Sequence, residues 1–163
     1  MKIPLYYLVI ISCLVYNFSI GQDRQEETFA KFIITDASRN GADITPHLLD
    51  AEAYSVFYSY ENDDGLYMAN VWPKKNSQSY GPMYSFTIEE EKHTYEDYQA
   101  DYFFFNWRYI NDYDKKKGTA KVSVIKIYKP QGVVYIMKMV TETLDIIVYK
   151  GYLEGSLNFS TFE

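Results

Sequence analysis

Residues 119–129 read TAKVSVIKIYK and residues 132–142 read GVVYIMKMVTE, with only Pro130 and Gln131 between them. Both runs are rich in Val, Ile and Tyr, the side chains that suit a pleated sheet surface. Proline fixes φ and glycine reaches the left-handed region, so this junction predicts a tight turn. Because the connection is too short for a parallel crossover, the two runs are predicted to form an antiparallel hairpin.

Six further runs of the same kind predict strands on either side of this hairpin. They lie at residues 29–35, 53–60, 66–72, 79–88, 102–110 and 144–153. Their connections are short as well, and the loop ENDDG at 61–65 contains the Asp-Gly pair typical of hairpins. Successive strands are therefore predicted to run antiparallel as neighbours, which makes eight strands in chain order.

Several of these strands are apolar on both faces, because side chains alternate across a strand. The clearest example has one face formed by Phe103, Phe105, Trp107 and Tyr109. A flat sheet with one wetted face does not show this pattern. The sequence therefore predicts an all-β fold, an eight-stranded antiparallel up-and-down barrel, with a β-sandwich as the alternative.

One or two short helices are expected beside the strands. Thr45 is predicted to be the N-cap of a helix that reaches about Glu52, with Pro46 at the first helical position. Between residues 89 and 101, the spacing of Tyr95, Tyr98 and Tyr102 fits one face of a second helix.

The first 21 residues, MKIPLYYLVIISCLVYNFSIG, have the pattern of a secretory signal peptide. Cleavage before Gln22 leaves residues 22–163 as a single domain, secreted or periplasmic, with no transmembrane segment. The alternative is a lipoprotein that is anchored through Cys13, the only cysteine of the chain. Cleavage at the first site removes this thiol, which excludes disulfides and a cysteine nucleophile from the mature protein.

The composition excludes some classes of function. Hydrophobic residues make up 47% of the chain, which is too high for an intrinsically disordered protein. The net charge of −6 and the absence of a basic block argue against a nucleic-acid partner. With two histidines and no phosphate-binding loop or nucleophile motif, we expect no metal site, no cofactor and no enzymatic activity.

Aromatic and methionine side chains that share the apolar strand faces are the candidate ligand-binding residues. These are Met68, Trp72, Trp107, Tyr109, Tyr135, Met137 and Met139. Methionine adapts to varied ligand shapes and tyrosine adds an orienting hydroxyl group, so such a set can line an apolar pocket. Two alternatives remain open: the same residues form a packed core, or some aromatic residues form an exposed surface for sugars or another protein.

Eight consecutive antiparallel strands in an exported chain resemble the lipocalin-like (calycin) barrels. The resemblance is one of architecture, because the first strand reads Phe29-Ala30-Lys31-Phe32 where those families carry Gly-x-Trp. It implies non-catalytic binding of a small hydrophobic ligand in the barrel interior. The competing expectation is an extracytoplasmic module that binds a glycan or a protein partner through surface aromatic residues.

Overall fold

The computed structural model describes residues 26–61, 63–93 and 98–157. Within these ranges the strands are β1 (Glu26–Arg39), β2 (Ala42–Asp43), β3 (Tyr54–Tyr60), β4 (Leu66–Trp72), β5 (Ser77–His93), β6 (Tyr98–Asn111), β7 (Lys117–Lys129), β8 (Gly132–Thr141) and β9 (Ile146–Gly155). A six-residue helix α1 (Thr45–Asp50) and a 3-10 turn at Pro73–Lys75 complete the described elements. No helix in these ranges has the length and apolar character needed to cross a membrane.

The sheet closes on itself. Its order is β2-β1-β3-β4-β5-β6-β7-β8-β9, and β1 also pairs with β9. Eight antiparallel strands thus form a closed up-and-down barrel, and the two-residue β2 is attached beside β1. This confirms the predicted barrel and excludes the sandwich.

The seam between β1 and β9 runs from Ala30 opposite Gly155 to Arg39 opposite Ile147. Gly151 is required in this seam because a Cβ atom there would collide with the carbonyl oxygen of Ile33. A shift in register between Ile34 and Asp36 marks a bulge in β1, and bulges bend strands at barrel corners.

The interior of the barrel is packed. Met68 and Met137 have no solvent-exposed surface, and the same holds for Phe32, Phe57 and Val124. A side chain with no exposed surface borders no space that is large enough for a water molecule. The middle of the barrel is therefore filled by its own side chains.

A small polar cluster is buried within this apolar interior. The Ser55 hydroxyl group donates a hydrogen bond of 2.6 Å to Oδ1 of Asn70, which lies opposite it on β4. Nδ2 of Asn70 donates to the sulfur atom of Met139 at 3.6 Å. These contacts satisfy polar groups that would otherwise destabilise the core.

The helix predicted between residues 89 and 101 is wrong. The described parts of this segment are the end of β5 and the start of β6, with Glu89 opposite Tyr102 and Glu91 opposite Ala100. Tyr95 lies outside the described residues. The spacing of four between Tyr98 and Tyr102 does not distinguish a helix from a strand, so this part of the pattern was ambiguous.

The predicted helix at Thr45 is present, but its predicted N-cap is wrong. Ile44 is the N-cap residue and has no side chain that can cap, whereas Oδ1 of Asp43 accepts a 2.8 Å hydrogen bond from the backbone N–H of Thr45. The Thr45 hydroxyl group instead accepts a 2.8 Å hydrogen bond from the backbone N–H of Ala37. It also donates to the carbonyl oxygen of the same residue at 3.2 Å. This threonine therefore fastens α1 to β1, because its side chain is held by the sheet.

Candidate ligand-binding groove

The seven predicted ligand-binding residues lie together at the barrel core. Met68, Trp107, Met137 and Met139 belong to the buried cluster, whereas three residues are partly buried against it: Trp72, Tyr109 and Tyr135. Burial raises the pKa of both tyrosines, so their hydroxyl groups are neutral at physiological pH. Whether any of the seven contacts a ligand stays a prediction.

Trp107 shows how these side chains are used within the fold. Its Nε1–H group donates hydrogen bonds to the carbonyl oxygens of Met68 (3.1 Å) and Gly81 (3.2 Å). Its ring also packs against Tyr109 at a centroid distance of 4.7 Å. The indole thus links β6 to the paired strands β4 and β5, and its polar atom is fully occupied by the protein.

A groove of about 430 Å³ lies on the outside of the barrel, and we call it the tyrosine groove. Its lining residues are Tyr58, Tyr60, Tyr67, Tyr80, Gly81, Pro82, Arg108, Tyr109, Ile110, Lys117, Gly118, Thr119 and Glu142. Along each strand, most of these residues alternate with the buried core residues. Their side chains therefore lie on the outer face of the barrel. Of the predicted ligand-binding residues, only Tyr109 contributes to this lining.

Strand register explains why these side chains form a row. Tyr58 lies opposite Tyr67, which in turn lies opposite Pro82 on β5. On the next pair of strands, Arg108 lies opposite Thr119. Neighbouring strands are about 4.8 Å apart, so the row crosses the sheet at right angles to the strands.

The aromatic half of the groove is formed by β3 and β4. The rings of Tyr58 and Tyr67 are stacked at 5.6 Å, and Tyr60 packs edge-on against both, at 5.5 and 4.9 Å. The Tyr67 hydroxyl group donates to Asp63 at 2.9 Å, which holds this ring in place. Tyr58 is only 3% exposed, and burial raises its pKa well above the usual range. The ring packing and the hydrogen bond of Tyr67 therefore preorganise this aromatic half.

The other half of the groove is polar and rests on β6 and β7. Arg108 and Lys117 are exposed, and the Arg108 guanidinium group lies 5.5 Å from the centre of the Tyr84 ring. The Thr119 hydroxyl group donates to Glu142 at 3.3 Å. Aromatic and hydrogen-bonding surfaces thus lie side by side, as in sites that bind small polar ligands.

Two neighbouring depressions extend the tyrosine groove around the barrel. One of about 300 Å³ shares Tyr58, Tyr60 and Tyr80 with it. Another of about 320 Å³ shares Thr119 and Glu142 and is also lined by Lys121. We call the three together the belt. The belt is a row of adjoining depressions on the outer face, lined by residues from β1 to the turn after β8.

The chain offers little for metal-dependent chemistry in the described ranges. No group of three His, Cys, Asp or Glu residues lies close enough there to hold a metal ion. Compared with known proteins, the chain matches no protein-family model, no curated protein and no solved structure. The function must therefore be argued from the site itself.

Proposed function

We propose that this protein is an exported, non-catalytic binding protein that holds a glycan in the tyrosine groove of a lipocalin-like barrel. The observation that carries the proposal is the row of tyrosine rings that continues directly into Arg108 and Thr119. Export rests on the leader pattern of the first 21 residues.

The chemistry of the groove suits a sugar. A pyranose ring has apolar C–H faces that pack on aromatic rings, and a rim of hydroxyl groups that needs hydrogen-bond partners. Tyrosine supplies contact area at low entropic cost, and its hydroxyl group adds a donor and an acceptor. Arg108, Thr119 and Glu142 provide charged and neutral partners beside the rings. Polar partners placed beside the rings in this way would orient the ligand.

The groove is favoured over the barrel interior because it has open volume. A ligand inside the barrel would have to displace side chains such as Met68 and Met137, which border no free space. Displacing packed side chains costs several kcal/mol, typically about 1–3 for each overpacked position. Binding in the tyrosine groove needs no such rearrangement. Carriage of a hydrophobic ligand inside the barrel stays the competing prediction.

We expect Tyr80→Ala to weaken glycan binding at least about tenfold, because it removes a ring shared by the tyrosine groove and its neighbour. The measurement is a glycan microarray, followed by titration calorimetry with the best-bound oligosaccharide. Tyr152→Ala is the matched control, because Tyr152 lies on the outer face of β9, away from the groove, and is 48% exposed. Both variants are first checked for the wild-type circular dichroism spectrum.

An equal loss of affinity in the two tyrosine variants would argue against this location of the site. If the wild-type protein binds no glycan on the array, the proposal is rejected. If binding occurs and only Tyr80→Ala weakens it, the groove is the site.

A further inference from the structure

The belt has a charge pattern that points to its ligand. Arg108 and Lys117 line the tyrosine groove, and Lys121 lines the depression next to it. All three side chains are exposed. None of them forms a salt bridge with a carboxylate of the described residues. Two carboxylates line the belt: Glu142, which accepts a hydrogen bond from Thr119, and Glu26, which lies at the opposite, aromatic end.

The spacing of the three cations allows them to contact more than one acidic group of a ligand. Lys117, Thr119 and Lys121 alternate along the outer face of β7, so the two lysines are about 13 Å apart at their Cα atoms. Arg108 lies opposite Thr119 and therefore beside the gap between the lysines. In a chain with net charge −6, this local excess of positive charge attracts anions to one end of the belt.

The direction of the belt argues against an extended peptide as the occupant. A peptide that adds a strand needs a free sheet edge, because its main chain pairs with the edge backbone. The belt instead crosses the middle of a closed sheet, where the backbone groups of neighbouring strands are paired with each other. Recognition there depends on side chains, which present aromatic faces at one end and cations at the other.

We propose that the glycan is a linear acidic polysaccharide of the uronate type, lying along the belt with its carboxylates against Arg108, Lys117 and Lys121. This inference rests on the proposed function and names its ligand class. The sugar rings stack over the partly exposed Tyr60, Tyr67 and Tyr80, and the carboxylates of the following sugar units meet the cations of β6 and β7. Because the belt spans several strands, affinity rises with chain length beyond the disaccharide.

The test compares oligogalacturonates with the same oligomers after methyl esterification, which removes the charge and keeps the sugar chain. We expect the acidic hexamer to bind at least about tenfold more tightly than the ester and the monomer. Arg108→Gln combined with Lys121→Gln should abolish most of this preference. Raising the salt concentration to about 0.5 M should weaken acidic binding, because salt screens exposed charges. Lys138→Gln, an exposed lysine of β8 outside the belt, is the control.

The outcomes separate the two proposals. If ester and acid bind equally and the double variant changes nothing, the acidic ligand is overturned while glycan binding stands. If no oligosaccharide binds and poly-glutamate does, both proposals are overturned in favour of an acidic peptide. If none of these probes binds, both are likewise overturned. Far-UV circular dichroism and thermal melting of each variant exclude unfolding as the cause of a loss.

Discussion

Trp107 connects three strands through one polar atom. Its indole N–H group lies between the carbonyl oxygens of Met68 and Gly81, two residues that face each other across β4 and β5. Buried indole groups usually find such a partner, because an unpaired N–H group in an apolar core is destabilising. The residue was identified from the sequence as part of the apolar face, but its bonds to two backbone carbonyls were not predictable from strand alternation.

We expect Trp107→Phe to lower the free energy of unfolding by about 2–4 kcal/mol, since it removes both hydrogen bonds and leaves a cavity. Urea denaturation followed by circular dichroism measures the change. Trp72→Phe is the matched control, because Trp72 lies at the end of β4 and is only partly buried. Equal losses in the two variants would show that the hydrogen bonds of Trp107 contribute little.

At the scale of elements, the turn between β8 and β9 fastens one end of the barrel seam. Asp145 in this turn accepts hydrogen bonds of 2.8 Å from both Arg39 and Asn40. The backbone N–H group of Asn40 donates to the carbonyl oxygen of Ile146 at 2.7 Å. The pKa of the Asp145 carboxyl group is lowered by the hydrogen bond from Arg39, by the bond from Asn40 and by the positive charge of Arg39.

This lowered pKa predicts an acid-sensitive contribution to stability. The contribution is complete above the unfolded-state pKa, near 3.8, and is lost as the pH falls through the lower folded-state value. Asp145→Asn should therefore reduce stability at neutral pH and flatten its decline below about pH 4. Urea denaturation midpoints across this range measure the effect. The control is Asp50→Asn, at the exposed end of α1, which should keep the wild-type dependence of stability on pH. An Asp145→Asn profile that runs parallel to the wild-type profile would contradict the prediction.

Local sequence patterns identified most elements correctly. The predicted strand at 66–72 has the observed bounds of β4, because its β-branched and aromatic residues lie between clear turn signals. The 89–101 segment was misread because the local spacing of its tyrosines does not reveal the pairing of β5 with β6. The N-cap at Thr45 was misassigned because Ala37, the partner of its hydroxyl group, lies on another element. Helix and strand propensities reflect residues that are close along the chain. These two outcomes depend instead on tertiary contacts.

For the molecule as a whole, closure and the filled interior could not be derived from any local pattern. The sequence offered a barrel or a sandwich, and the choice depends on pairing between β1 and β9, more than one hundred residues apart along the chain. The tyrosine groove is also a product of register, since its row combines residues from β3 to β7. The alternation of side chains indicated which residues face the barrel interior. It suggested an exposed aromatic surface only in general and did not identify the tyrosines of the groove.

The filled interior predicts that the purified protein carries no lipid inside the barrel. Side chains such as Phe57 and Met68 leave no space for an alkyl chain. A native mass spectrum should therefore show the bare polypeptide mass, and a fluorescent fatty-acid probe should gain no signal on mixing. The same spectrum of the protein refolded from urea gives the reference mass of the ligand-free chain. A stoichiometric lipid adduct would instead support the interior carrier.

The pairing of β1 with β9 also has a consequence for synthesis. Residues 147–155 are made after all the other described strands, yet they are the lateral neighbours of residues 30–39. Until they emerge, the growing polypeptide has two unprotected edges and no complete ring, so the barrel closes only after this last described strand has been made. A chain released before residue 146 is consequently expected to associate with other copies through these edges, because no strand of its own is left to cover them.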